Sequence, residues 1–161
     1  MTVTPPDPPE CRTLDGIDPS TLYALLRLRV DVFVVEQDCA YPELDGADLD
    51  DTTRHWWYAD HEGPISYLRT LVDVDGVAHV GRVVTAPRAR GAGLAARLID
   101  QALDTLDGPV VVQAQAHLAD WYAQFGFTRA GDDVVEDGIL HTPMRLDPTG
   151  RRRLLGDHSG R

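Results

Sequence analysis

Lysine is missing from this chain: all 15 of its bases are arginine, and set against 26 acids they leave a formal net charge of −11. A phosphate-binding loop of the type completed by a lysine is therefore excluded. The acidic excess, with no basic stripe, repels phosphate backbones, so neither nucleic acid nor an anionic membrane surface is an expected partner, and a cationic one is easier to accommodate. Sulfur is scarce too. Cys11 and Cys39 are the only cysteines, form no CxxC and have no histidine cluster beside them, which leaves no disulfide framework and no zinc or other metal site. No stretch approaches the roughly 20 apolar residues of a membrane span. The start of the chain is proline-rich and acidic, unlike a basic region followed by an apolar run. Reduced thiols and the lack of an export signal lead to the expectation of a cytoplasmic protein.

What is present suits one domain. At 161 residues a single core is affordable and two are not. The expected limits are a loose leader over 1–9, one domain over 10–147 and a loose tail over 148–161, both ends being too poor in apolar side chains to order themselves. The arginine run 151–153 reads as a solvated surface. Between the ends, Asp18 followed by Pro19 is an N-cap and first-turn pair, and Leu22, Leu25 and Leu26 then recur at helical spacing, predicting a helix to about Phe33. Residues 55–59, 65–72 and 77–85 read as strands of an antiparallel meander, parted by turn signals at 61–63 and 73–76. Leu94, Leu98, Ile99, Ala102 and Leu106 form the apolar stripe of a second helix, stopped by Gly108 and Pro109. The run 110–112 is apolar on both faces, as in a buried parallel strand. A short helix over 118–125 and a closing strand pair around 136–138 complete an α/β pattern with a mixed sheet.

The segment from Val80 to Leu98 is the most informative. It runs from a strand through a proline into an arginine- and glycine-rich turn and then a helix. Such a turn presents unpaired backbone N–H groups beside the positive end of the helix dipole, which suits a phosphate. Gly91 and Gly93 permit close approach because they lack a Cβ, and Arg88 and Arg90 add positive charge that the chain otherwise lacks. Gly91, Gly93 and Ala96 also fit the dinucleotide fingerprint. That reading needs the first glycine at the strand end and an acid after the next strand, whereas five residues intervene here and the next strand runs into Gln113 and Gln115. A mere connecting turn is the bland alternative, against which the paired arginines weigh.

Arg88-Ala-Arg-Gly91-Ala-Gly93 resembles the most characteristic motif of the GNAT (GCN5-related N-acetyltransferase) family. The stretch from Trp121 through Tyr122 and Phe125 to Gly126-Phe127 is similar to the family's tyrosine-bearing helix and its glycine-phenylalanine turn. Upstream, the residues from Leu28 to Asp48, and later Glu136 to His141, resemble the ElaA-like branch. Together the likeness runs from Leu22 to Met144. It implies a mixed sheet, mostly antiparallel in its N-terminal strands, flanked by helices and splayed between its fourth and fifth strands. It implies acetyl-coenzyme A as cosubstrate, with pantetheine along Val83, Val84 and Thr85 and pyrophosphate on Arg88, Arg90, Gly91, Ala92, Gly93 and Leu94. It also implies an amine acceptor attacking the thioester directly, with the Tyr122 phenol donating to the departing sulfur.

For the general base, Glu36 stands first, since Phe33, Val34 and Val35 around it would raise a carboxylate's pKa. His55, His79, His117, His141 or a water chain are the alternatives. Residues 36–51 carry seven acids and no base, which would hold a cationic amine if they line the acceptor pocket and would be a solvated loop if they do not. Tyr41, Trp56, Trp57 and Tyr58 are candidate walls. The competing class is a non-catalytic coenzyme A-binding sensor or scaffold. A homodimer is an assembly that these residues allow.

Overall fold

The structure, a computed structural model, describes residues 7–151. The first helix, α1 (Pro19–Val30), begins as its sequence dictates. Asp18 accepts a hydrogen bond from the Thr21 amide at 3.0 Å, and Pro19 occupies the first turn. Such a cap contributes about 1 kcal/mol. Past Val30 the chain widens into a π-helical turn, Asp31–Glu36. This carries the chain beyond the expected end at Phe33 and delivers Glu36 to the rim of the sheet. The meander is present as β2 (Arg54–Asp60), β3 (Gly63–Val72) and β4 (Ala78–Thr85). The turn before β4 is closed by Asp73, whose carboxylate accepts from the amides of Asp75 and Val77. Helix α2 (Leu94–Asp104) leads to β5 (Val110–Gln115), then to the short α3 (Ala119–Ala123) and the hairpin β7 (Val134–Glu136) with β8 (Ile139–Leu146). Two strands lack any signal in the sequence: β1 (Glu10–Arg12) and β6 (Thr128–Arg129), each too short to show alternation.

The strands form one mixed sheet in the order β1-β2-β3-β4-β5-β8-β6, with β7 also on β8. Its faces carry separate cores. On one, Leu94, Leu98, Ile99, Ala102 and Leu103 of α2 meet Trp56, Leu68, Val80, Val112, Phe125 and Phe127. On the other, Leu25, Leu28 and Val32 meet Trp57, Tyr67, Val84 and Ala86. Each fully buried leucine or phenylalanine contributes roughly 1.5–3 kcal/mol, so both helices are fixed to the sheet by packing more than by propensity.

The described ends are tied down more tightly than composition suggests. Asp7 of the expected leader accepts from the Tyr58 hydroxyl and pairs with Arg97, and Pro9 is buried. At the other end Arg151 donates to the carbonyls of Leu103 and Gly108, capping the end of α2. A Cβ on Gly126 would run into the Gly150 carbonyl. The rest of the leader, and 152–161 of the tail, lie outside the described residues.

Candidate active site

β4 and β5 are parallel neighbours, but they pair only at Ala78 with Val110, His79 with Val111 and Val80 with Val112. Beyond that point β5 keeps its antiparallel partner β8, from Gln113 opposite Pro143 to Gln115 opposite His141. β4 keeps only β3. The sheet therefore opens into a wedge whose walls are residues 81–85 and 113–115, and backbone groups along this β4 edge lack a β5 partner. A cleft of about 860 Å³ fills the wedge, a volume suited to a small-molecule site. Val83, Val84 and Thr85 line it, as do Tyr122, Glu36 and Arg90. Residues from distant parts of the chain thus meet at one cleft.

Arg88, Gly91, Ala92, Gly93 and Leu94 do not line this cleft; they form the loop beyond its end. Gly91 and Gly93 have φ of +85° and +72°, and a Cβ on either would meet nothing within 4 Å, so both glycines are required by the turn and face open space. Gly93 is also the N-cap of α2, with no side chain capping the helix. The first amides of α2 are left for an anion. The arginines depart from expectation. Arg88 pairs with Asp60 at 2.8 Å and with Glu62 at 3.2 Å. Arg90 makes a two-pronged ion pair with Glu36, at 2.7 and 2.8 Å. Their charge is already matched by carboxylates, so the anion site rests on the glycines and the helix terminus first.

The same pair corrects the expectation for Glu36. The Arg90 guanidinium holds its carboxyl below the usual range instead of apolar neighbours raising it, and the group is about 42% exposed. A carboxylate so held is a weak base. Of the histidines, His55 is fully buried with Nδ1 2.6 Å from the Tyr67 hydroxyl. His79 lies on the cleft but pairs with Asp73. His141 lines the cleft with Nδ1 on the Ile139 carbonyl, and His117 lines it with no hydrogen-bond partner among the described residues.

Tyr122 is only 5% exposed. Its ring packs edge-on against Trp121 and Phe127, and its hydroxyl has no partner among the described residues although the residue lines the cleft. Burial pushes the phenol up beyond its ordinary range. It remains protonated at any working pH, as a proton or hydrogen-bond donor must.

Of the acidic segment only Glu36 and Asp45 line the cleft, and both are already paired with arginines. Glu43 and Asp48 are buried against Arg29, itself fully buried, at 2.7 and 2.8 Å. Arg69 pairs with Asp45 and Asp48. Arg82 pairs with Glu43 and Asp45. Three arginines thus neutralise three acids, and the loop folds inward onto the sheet. Trp56, Trp57 and Tyr58 are core residues, whereas Tyr41 does line the cleft. Sequence reading also missed two contacts that draw this loop over the cleft: Gln115 donating to Gln37 at 3.3 Å, and the Cys39 thiol reaching the Asp137 carbonyl at 3.2 Å. Of the missed residues, Gln115 and Glu136–Asp137 lie in stretches already singled out for other reasons, and no local signal pairs them with 36–39.

Among the described residues no helix is long and apolar enough to cross a membrane. The acetyltransferase (GNAT) domain model matches residues 29–148. A UPF0039 protein of Mycobacterium tuberculosis is 44% identical over 140 residues, covering 84% of this chain and 90% of its own. ElaA of Escherichia coli is 40% identical over 132 residues, covering 78% of this chain and 86% of its own. Among solved structures, an acyl-CoA N-acyltransferase from Pseudomonas aeruginosa superposes with a TM-score of 0.81 at 41% identity, over 85% of this chain and 97% of that one. Escherichia coli ElaA does so with 0.79 at 35%, over 86% and 99%. With the splayed sheet and the glycine turn in the positions that family requires, the chain belongs to the GNAT acyltransferase family, in its ElaA-like branch.

Proposed function

We propose that the protein is a cytoplasmic N-acetyltransferase that passes the acetyl group of acetyl-coenzyme A directly to an amine. The observation that carries this reading is Tyr122, a protonated phenol with no hydrogen-bond partner among the described residues, lining the same wedge as the β4 edge that β5 leaves unpaired. The pantetheine arm lies along Val83, Val84 and Thr85, where it supplies the pairing that β5 does not. Its pyrophosphate sits on the loop of Arg88, Arg90, Gly91, Ala92, Gly93 and Leu94, where it takes the amides around the two glycines and the start of α2. A strand N–H near Val83 polarises the thioester carbonyl. The neutral amine attacks, and Tyr122 donates to the sulfur as it leaves. While Glu36 is paired with Arg90, the ammonium proton departs more readily through water to a cleft imidazole, His117 or His141. The acceptor is a small molecule or peptide. With the loop's cleft-lining acids Glu36 and Asp45 already paired with arginines, support for a cationic acceptor rests on Glu136 and Asp137 at the cleft.

Tyr122→Phe tests the reading, because it keeps the packed ring and removes only the donor. Turnover of acetyl-coenzyme A with an amine from a panel of polyamines, amino sugars and peptides should fall about 10²-fold or more, with coenzyme affinity barely changed. Full turnover in a folded variant would remove Tyr122 from the mechanism. Failure of every amine to stimulate turnover, with coenzyme A still bound, would favour the sensor or scaffold class.

A further inference from the structure

One residue of β4 adopts a backbone conformation that its own side chain opposes. Arg82 has φ +53°, the left-handed region in which a Cβ crowds the following carbonyl, while its neighbour Gly81, which would accept that geometry freely, does not take it. Something must hold Arg82 there. The guanidinium Nε lies 2.9 Å from the Glu43 carboxylate, and Nη2 donates to the Glu43 carbonyl at 3.1 Å and to Asp45 at 3.2 Å. The Tyr41 ring stands 5.7 Å from its Cζ. Glu43 is itself immobilised by the buried Arg29 and by the Tyr41 hydroxyl.

The strained residue sits in a bulge. Tyr67 pairs with Val84 and Arg69 with Gly81, so Leu68 alone faces both Arg82 and Val83. The extra residue re-phases the strand. Before it, Ala78 and Val80 point to the α2 core; after it, Val83 packs on that core and Val84 and Ala86 turn to the α1 core. The change falls where β4 loses β5, at the start of the edge that faces the wedge.

We propose that Arg82 is a positioning residue. Held by Glu43 and Asp45, it maintains the bulge and thereby sets which backbone groups of Val83, Val84 and Thr85 face the acyl donor. The inference rests on the coenzyme lying along this edge, and it assigns the acidic loop a mechanical part in the reaction in place of an electrostatic one.

Two variants separate the bulge from the charge. Arg82→Val and Arg82→Gly both delete the guanidinium, but valine resists positive φ and glycine adopts it without strain. Backbone NMR couplings on the coenzyme-free protein should show φ at position 82 turning negative in the valine variant and staying positive in the glycine variant. Release of coenzyme A from acetyl-coenzyme A in the presence of an active amine should then be at least about tenfold slower for Arg82→Val than for Arg82→Gly, with kcat changing more than the dissociation constant for coenzyme A. A bulge that survives in Arg82→Val, or equal losses of turnover in the two variants, would overturn the proposal. Should Arg82→Val fail to fold by circular dichroism, Arg82→Ala carries the same contrast with glycine. The φ measurement needs no turnover, and calorimetric titration of the unaltered chain with coenzyme A tests the coenzyme site separately, so failure of the proposed function would be recognised as such.

Discussion

The two charged loops of this molecule invert their appearance in the sequence. The glycine turn at 88–94 carries two arginines and the segment at 36–51 carries seven acids, which would suggest one anion site and one cation site. In the structure both are largely balanced by partners: Arg88 and Arg90 by Asp60, Glu62 and Glu36, and Glu43, Asp45 and Asp48 by Arg29, Arg69 and Arg82. What still separates the loops is burial. The glycine turn stays open and offers backbone groups, whereas the acidic segment turns Glu43 and Asp48 inward as internal structure and leaves Asp38, Asp50 and Asp51 at the surface. Charge summed along a segment therefore tells less than where each charge is desolvated and by whom it is met.

Breaking the inner network should have the largest effect. Arg29→Ala leaves Glu43 and Asp48 in a buried site without their shared partner and should destabilise the fold by ~3–5 kcal/mol, read as a fall in the denaturation midpoint. A loss below about 1 kcal/mol would mean that the network is as loose as a surface pair. The outer loop should behave oppositely. Gly93→Val places a branched side chain at φ +72°, costing about 1–2 kcal/mol of stability, yet it should weaken coenzyme A binding by tenfold or more in a calorimetric titration, because the side chain occupies the space an anion needs. Unchanged affinity in a folded variant would make the loop a connector.

The smallest effect concerns pH and sharpens the same contrast. Burial lowers the His55 pKa from its ordinary value near 6.5. The unfolded chain therefore binds this proton more readily, and stability should decline as pH falls below about 6.5. Burial opposes ionisation of Asp45, but Arg69 and Arg82 outweigh it and bring the carboxyl down to about 2. Its contribution is present above the unfolded value near 3.8 and disappears as pH falls from there toward 2. Denaturant midpoints at a series of pH values should show both declines. Substituting His55 by glutamine should remove the first and spare the second.

How much of this was legible in the sequence follows from range. The glycine turn, the Asp18 cap and the α2 stripe are local patterns, and each appears where its residues predict. Tyr122 was legible through its motif, although its orientation toward the wedge depends on how α3 packs. The splay between β4 and β5 came from the family resemblance alone. The ion-pair network was not legible, because Arg29 meets Glu43 across 14 positions and Arg82 meets it across 39, and nothing in the spacing selects those partners. The basicity expected of Glu36 failed for the same reason: its local neighbours are apolar, but its decisive neighbour, Arg90, is 54 positions away. The bulge was hidden because the left-handed residue is Arg82, where a glycine would have marked it.

The three residue pairs that join β4 to β5 also have a mechanical meaning. They are the strand-to-strand seam between a half-sheet of β1 to β4 and a half-sheet of β5 to β8, which otherwise share the core packed under α2. A strand-like ligand laid into the wedge would lengthen that seam and act as a splint, adding to the shared core a second tie between the halves and raising the stability of the domain as a whole.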